Sequence, residues 1–150
     1  VMDGIDREKS IASMHVCRGN WSKDESILLT GPYTPLLDLF SDINADLLAL
    51  EFSTPRAGEL KSLLADERIK NKLILGLGVL NPRFDQKEDV DFIYNRAKEA
   101  LTYIDKENLW LNPDCGFATF SNRPVNEYEN IRAKVGAMIK ARDRLRADYE

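Results

Sequence analysis

The chain has 150 residues, 43% of them apolar and 31% charged, with a formal net charge of −4 at pH 7. That is the composition of one globular domain, here residues 1–150, large enough to bury a core. The acidic balance excludes a general nucleic-acid binder, and no apolar run approaches the about 20 residues that cross a membrane.

Residues 1–10 are polar and read as irregular, unlike a secretory leader, and a start at Val1 fits a processed product or a piece of a longer chain. Residues 11–17 predict a short buried strand that stops at Gly19. A long loop follows to Pro35, punctuated by Gly31 and Pro32. Leu36 opens a helix that ends near Ile43. Residues 46–52 are apolar up to Glu51 and predict a second strand, broken by Pro55 and Gly58 before a helix over 59–66. Residues 72–80 predict a third strand, ended by Asn81 and Pro82. Val90, Ile93, Ala97, Ala100, Leu101 and Ile104 recur at helical spacing and predict a helix over 87–104. Residues 109–113 predict a fourth strand, and a last helix follows over 127–148. The stretch 117–120 between them reads either as a lid or as loop packing.

Strand and helix therefore alternate four times. The strands are apolar runs, as buried parallel strands are. Alternation of this kind specifies an α/β fold with a parallel sheet. Gly76 and Gly78 have no third glycine and open no helix, so a dinucleotide-binding fingerprint is excluded. The pattern suits consecutive units of a (β/α)8 TIM barrel, which takes about 250 residues for eight units. Four units are half of one.

In such barrels the functional groups lie at the C-terminal ends of the strands. His15 and Cys17 are two residues apart in a strand, so they project from one face. Glu51 ends the second strand and Cys115 follows the fourth. Each has an ordinary alternative. His15 and the cysteines can be packed core residues, and Glu51 can pair with Arg56 or Arg18. Together they are one imidazole, two thiols and one carboxylate at one barrel mouth, a donor set suited to zinc. A fully ligated zinc of this kind is catalytic if one ligand, here Glu51, gives way to a substrate thiol. Without a secretory signal, Cys17 and Cys115 are expected as reduced thiols in a cytoplasmic protein. Arg18, Arg56, Arg83 and Arg123 each follow a different strand and suit an anionic substrate, or else pair with neighbouring acids.

His15-Val16-Cys17, Glu51 within Leu50-Glu51-Phe52-Ser53, and Asn112-Pro113-Asp114-Cys115-Gly116 resemble the zinc motifs of cobalamin-independent methionine synthases. The likeness is to the C-terminal catalytic barrel, in particular that of a shorter, single-barrel branch, and covers the chain from about Ser13 onward. It implies the C-terminal half of a TIM barrel and zinc ligation by His15, Cys17, Glu51 and Cys115. It also implies transfer of a methyl group to the thiol of homocysteine, giving methionine, from methyl-tetrahydrofolate or a methylated corrinoid. An alkyl or epoxide transfer to another thiol, or a non-catalytic zinc-stabilised fragment, are the alternatives. The folate-using branch carries a histidine after the third strand, where this chain reads Gly78-Val79-Leu80-Asn81-Pro82-Arg83. The family residues that hold the amino acid's amine and carboxylate belong to the other half barrel. That half is expected in cis, in trans, or replaced by a second copy of this chain.

Overall fold

The computed structural model describes residues 2–70 and 72–150, the side chains of Thr119 and Arg123 excepted. Four strands form one parallel sheet in chain order: β1 (Ser13–Val16), β2 (Leu47–Leu50), β3 (Ile74–Leu80) and β4 (Leu109–Pro113). The intervening segments carry α1 (Leu37–Asp42), α2 (Leu60–Leu64), α3 (Glu67–Lys70) and α4 (Val90–Ala100). A two-stranded antiparallel hairpin, β5 (Ala118–Phe120) with β6 (Arg123–Pro124), precedes the long α5 (Tyr128–Tyr149). Four βα units with their strands in sequence order are the half-barrel that the sequence specifies.

Register divides the sheet into two unlike faces. His15 lies beside Ala49, Ala49 beside Gly76, and Gly76 beside Trp110. Residues of the other parity point away from this row. Leu48, Leu50, Leu75, Leu77 and Val79 take that second face and pack with Phe40, Leu60, Leu63, Ile93, Ala97, Ala137 and Ala141 of the helices. The core is this layer between sheet and helices. The first face carries an open pocket of about 550 Å³, lined by Ile11, Ser13, His15, Leu47, Ala49 and Trp110 through Phe117. Ile11 and Trp110 there remain 50% and 46% exposed.

Several boundaries differ from the sequence reading for local reasons. The first strand is Ser13–Val16 and is not buried: exposed and half-buried residues alternate along it. It is an edge strand, with helices on one face only. The helix expected over 59–66 is α2, Leu60–Leu64, and a second short helix that the sequence reading did not foresee follows it, because the Asp66 carboxylate accepts from the Arg68 amide at 3.0 Å and starts a new turn. Asp89 likewise accepts from the Asp91 amide at 2.6 Å, so α4 begins at Val90 rather than near residue 87. The stretch after Cys115, undecided in the sequence, is a β-hairpin.

Glycines in β3 let the fourth strand's side chains cross the sheet. A Cβ at Gly76 would stand 2.6 Å from Asn112 Oδ1, and one at Gly78 would stand 2.5 Å from the Leu50 carbonyl and collide with Asp114 Oδ1. Their absence leaves a channel over β3 through which Asp114 reaches the end of β2.

Candidate metal and thiol site

Strand β1 and the segments that follow β1, β2 and β4 bring four side chains to one place. His15 sits within β1, and its Nδ1 lies 2.8 Å from the Ala49 carbonyl. A carbonyl only accepts, so Nδ1 carries the proton and Nε2 presents its lone pair. That lone pair faces Cys115 Sγ at 3.3 Å. Cys17, one residue past β1, lies 3.2 Å from the same sulfur and accepts from the Gly19 amide at 3.2 Å. Gly19 has φ +111, and the Trp21 ring lies against it where a side chain would stand. The turn that closes over Cys17 therefore requires glycine.

His15 Nε2, Cys17 Sγ and Cys115 Sγ all lie within 4.8 Å of one another. One zinc ion with bonds of about 2.0–2.3 Å reaches donors spaced like this. The fixed Nδ1–H···O=C bond is also the second-layer arrangement that orients a metal-binding imidazole. The donor set is chemically suited to zinc: two sulfurs and a pre-oriented ring nitrogen.

Glu51 is 2% exposed and sits at the end of β2. The Cys115 thiol donates to its Oε1 at 3.1 Å, and Arg56 Nη2 donates to its Oε2 at 3.2 Å. Of the two ion-pair partners the sequence allows, Arg56 is the one it has. Burial pushes the Cys115 thiol well above its ordinary range, with the Glu51 carboxylate and Cys17 adding to the effect. A cation at this place would reverse that effect by stabilising the thiolate.

Two further residues have site roles that sequence reasoning missed. Asp114, 1% exposed, accepts from the Phe52 amide at 3.0 Å, the Ser53 amide at 3.0 Å and the Ser53 hydroxyl at 2.5 Å. It fastens the loop after β2 to the end of β4, and so sets Glu51 against Cys115. Burial pushes its carboxyl up to about 6 despite these bonds. Tyr33 accepts the Glu51 amide at its hydroxyl at 2.9 Å, and burial pushes its phenol up to about 12. Asp114 had a signal, an acid beside a strand-end cysteine. Tyr33 had none, being one aromatic in a long loop.

The arginines are spread unevenly. Arg18 stacks on the Tyr33 ring at 3.8 Å and donates to the Gly31 carbonyl at 2.7 Å. Arg56 joins Glu51 to the Leu29 carbonyl, the latter at 2.9 Å. Arg83 is fully buried and donates from Nε to Glu25 at 2.8 Å, with Nη2 3.8 Å from Asp114 Oδ2. Arg56 and Arg83 thus gather at Glu51, Arg18 is linked to it only through Tyr33, and all three engage the chain's own groups. The Arg123 side chain lies outside the described residues. Among the described residues, no helix is long and apolar enough to cross a membrane.

Comparison with known proteins bears on this geometry. The family model described as the catalytic domain of cobalamin-independent synthases matches residues 7–143. The uncharacterized protein YxjG of Bacillus subtilis (strain 168) is 33% identical over 108 residues, which are 71% of this chain and 28% of that protein. A methionine synthase of Pyrococcus abyssi is 30% identical over 137 residues, 91% of this chain and 34% of that one. A 5-methyltetrahydropteroyltriglutamate–homocysteine methyltransferase of Listeria innocua is 32% identical over 118 residues, 79% of this chain but 14% of its own. The solved structure of a B12-independent methionine synthase from Shewanella sp. W3-18-1, in complex with selenomethionine, superposes with a TM-score of 0.78 at 20% identity. That superposition covers 98% of this chain and 41% of the other, and it speaks for the fold. The chain spans about a third or less of the length of these curated relatives.

Proposed function

Because the chain belongs to the cobalamin-independent synthase catalytic-domain family, we propose that it supplies the zinc-binding half of a site where homocysteine is methylated to methionine. The observation that carries this reading is the convergence of His15, Cys17 and Cys115 within 4.8 Å, with Glu51 bonded to Cys115. His15, Cys17, Glu51 and Cys115 would hold the metal. Bound zinc would lower the pKa of a coordinated thiol and keep it as a thiolate nucleophile at neutral pH.

The chain's own residues carry the remaining work. The Ala49 carbonyl orients His15. Asp114 and Tyr33 hold the backbone on either side of Glu51. Arg18, Arg56 and Arg83 each keep one N–H without a partner among the described residues, which would suit an anionic substrate group, and Arg123 follows the same barrel mouth in sequence. The stretch after β3 in which the folate-using branch has its histidine reads Gly78-Val79-Leu80-Asn81-Pro82-Arg83 here, with Arg83 as its one cation. A guanidinium is a permanent cation and a poor proton donor. His15 is the sole histidine of the chain. Among methyl donors this favours one whose leaving group departs without a proton, a methylated corrinoid over methyl-tetrahydrofolate.

Residues 1–150 form half of the domain in this reading. The concave face and the free edges of β1 and β4 are completed by four further βα units, in the same polypeptide or a separate one. The test is methionine formation from homocysteine with each methyl donor, alongside zinc content. About one zinc per chain and methyl transfer from the corrinoid donor are expected. Protein that binds no zinc, or methylates homocysteine equally well without it, would overturn the reading.

A further inference from the structure

The Glu51 carboxylate faces two unlike sets of groups. On one side is the Cys115 thiol, 3.1 Å from Oε1. On the other are two guanidinium groups: Arg56 Nη2 at 3.2 Å from Oε2, and Arg83 Nη1 at 4.0 Å from Oε1. Glu51 falls outside the group formed by His15, Cys17 and Cys115, whose ligand atoms lie within 4.8 Å of one another. Its carboxylate therefore stands between the donor cluster and the arginines.

Neither arginine depends on Glu51 for its place. Arg56 is tied to the Leu29 carbonyl at 2.9 Å, and Arg83 to Glu25 at 2.8 Å and the Gly19 carbonyl at 3.3 Å. Their side chains are 9% and 0% exposed. Arg56 Nε and Arg83 Nη2 also have no hydrogen-bond partner among the described residues. Each guanidinium thus keeps a donor unused. Arg83 additionally balances Asp114, 3.8 Å away, which leaves Arg56 as the nearer cation to Glu51.

We infer that Arg56, backed by Arg83, is the counter-site that receives Glu51 when a substrate thiol takes its place among the ligands. The inference rests on the reading of His15, Cys17, Glu51 and Cys115 as one ligand set. A carboxylate buried this deeply is not released without a compensating cation. The two oxygens divide the task. Oε2 is held by Arg56 Nη2, and on release Oε1 turns from the donor cluster to the unused Arg56 Nε, so that the ion pair becomes two-pronged, with Arg83 beside it. Glu51 remains ionised, and the incoming thiol loses its proton to solvent as its sulfur takes the vacated place. One anionic ligand replaces another, and the displaced charge stays paired. Arg56 is a positioning residue here: it acts on the exchange through Glu51.

The sign of one measurement separates this from a merely structural salt bridge. Loss of an ordinary supporting residue lowers metal affinity about 10–100-fold. A counter-site competes with the metal for Glu51, so its removal does the opposite. Zinc affinity is measured on the purified protein by competition with a chromophoric chelator, with and without homocysteine. Arg56→Gln should bind zinc about tenfold more tightly than the parent and take up homocysteine correspondingly less well. In a Glu51→Gln background the same substitution should leave zinc affinity unchanged. Arg56→Lys, which keeps the charge but not the two-pronged donor, should fall between parent and Arg56→Gln and serves alone if Arg56→Gln does not fold. Unchanged or weakened zinc affinity in these variants overturns the counter-site while leaving the ligand set intact. Parent protein that binds no zinc overturns the ligand set itself.

Discussion

The two faces of the sheet are built from the same four strands and are energetically unlike. On the convex face Leu50, Leu77 and Val79 are completely buried by the helices. On the concave face Trp110 and Ile11 are about half exposed, and His15 lies open. The same period of two that puts leucines against α4 and α5 puts His15, Ala49, Gly76 and Trp110 in one open row. One face holds the core of the half-barrel and the other carries the open row that includes His15.

The largest expected effect breaks the chemistry at the mouth without touching the convex core. Cys115 is the sulfur common to His15, Cys17 and Glu51, with contacts of 3.3, 3.2 and 3.1 Å. Cys115→Ser should abolish stoichiometric zinc binding and thiol methylation, read by metal analysis of dialysed protein. Full zinc retention would remove Cys115 from the ligand set.

Next come the two faces set against each other. Leu77→Ala on the convex face should cost about 2–5 kcal/mol in denaturant unfolding, since the site is fully buried. Trp110→Ala on the concave face discriminates between an open and a covered half-barrel. Left at its 46% exposure, Trp110 should cost under about 1 kcal/mol on truncation; packed beneath a second half-barrel, it should cost about 3–5 kcal/mol. We expect the larger value in protein whose barrel is complete and the smaller one in the 150-residue chain alone. Equal costs in both would mean that nothing docks on this face.

What was legible in the sequence follows the same division. Strand order, the convex core and the pairing of His15 with Cys17 are consequences of short-range periodicity, which sequence displays. The burial of β1 was misjudged because an apolar run looks the same whether one face is covered or two. The place of Asp114 was hidden because it depends on three strands at once: Gly78 must lack a side chain for Asp114 to reach Phe52 and Ser53. Tyr33 acts on Glu51 from a loop with no periodicity. Arg83 lies near Glu51 and Asp114, but its pairing with Glu25 joins the loops after β3 and β1, which no periodicity displays.

Gly78 gives a smaller effect that tests the link between the faces. Gly78→Ala forces a Cβ to within 2.5 Å of the Leu50 carbonyl and into Asp114 Oδ1, so about 1–3 kcal/mol of stability should be lost. Displacement of Asp114 should also loosen the loop carrying Ser53, seen as faster amide exchange at Phe52 and Ser53. Protected amides at those two positions in the variant would show that Asp114 is not their anchor.

The smallest effect lies at the opposite end of the strands from the mouth. Asp46 precedes β2, accepts the Ala12 amide at 2.7 Å and pairs with Arg7, while its own carbonyl accepts the Ile74 amide at 2.8 Å. It therefore ties the starts of three chain segments together. The Ala12 amide, and then Arg7, hold its carboxyl below the usual carboxylate range. A carboxyl depressed in the folded state stabilises the fold above its unfolded pKa, about 3.9, and loses that contribution as pH falls through the folded value. Asp46→Asn keeps an acceptor for Ala12 but removes the charge. The stability difference between parent and variant should stay level from pH 7 to about 5 and close below about 4. Zinc content at neutral pH should be untouched, because the donors stand at the other end of the sheet. A difference that does not vary with pH would show that Asp46 acts through its shape alone. A loss of zinc at neutral pH would show that the two ends of the strands are not independent.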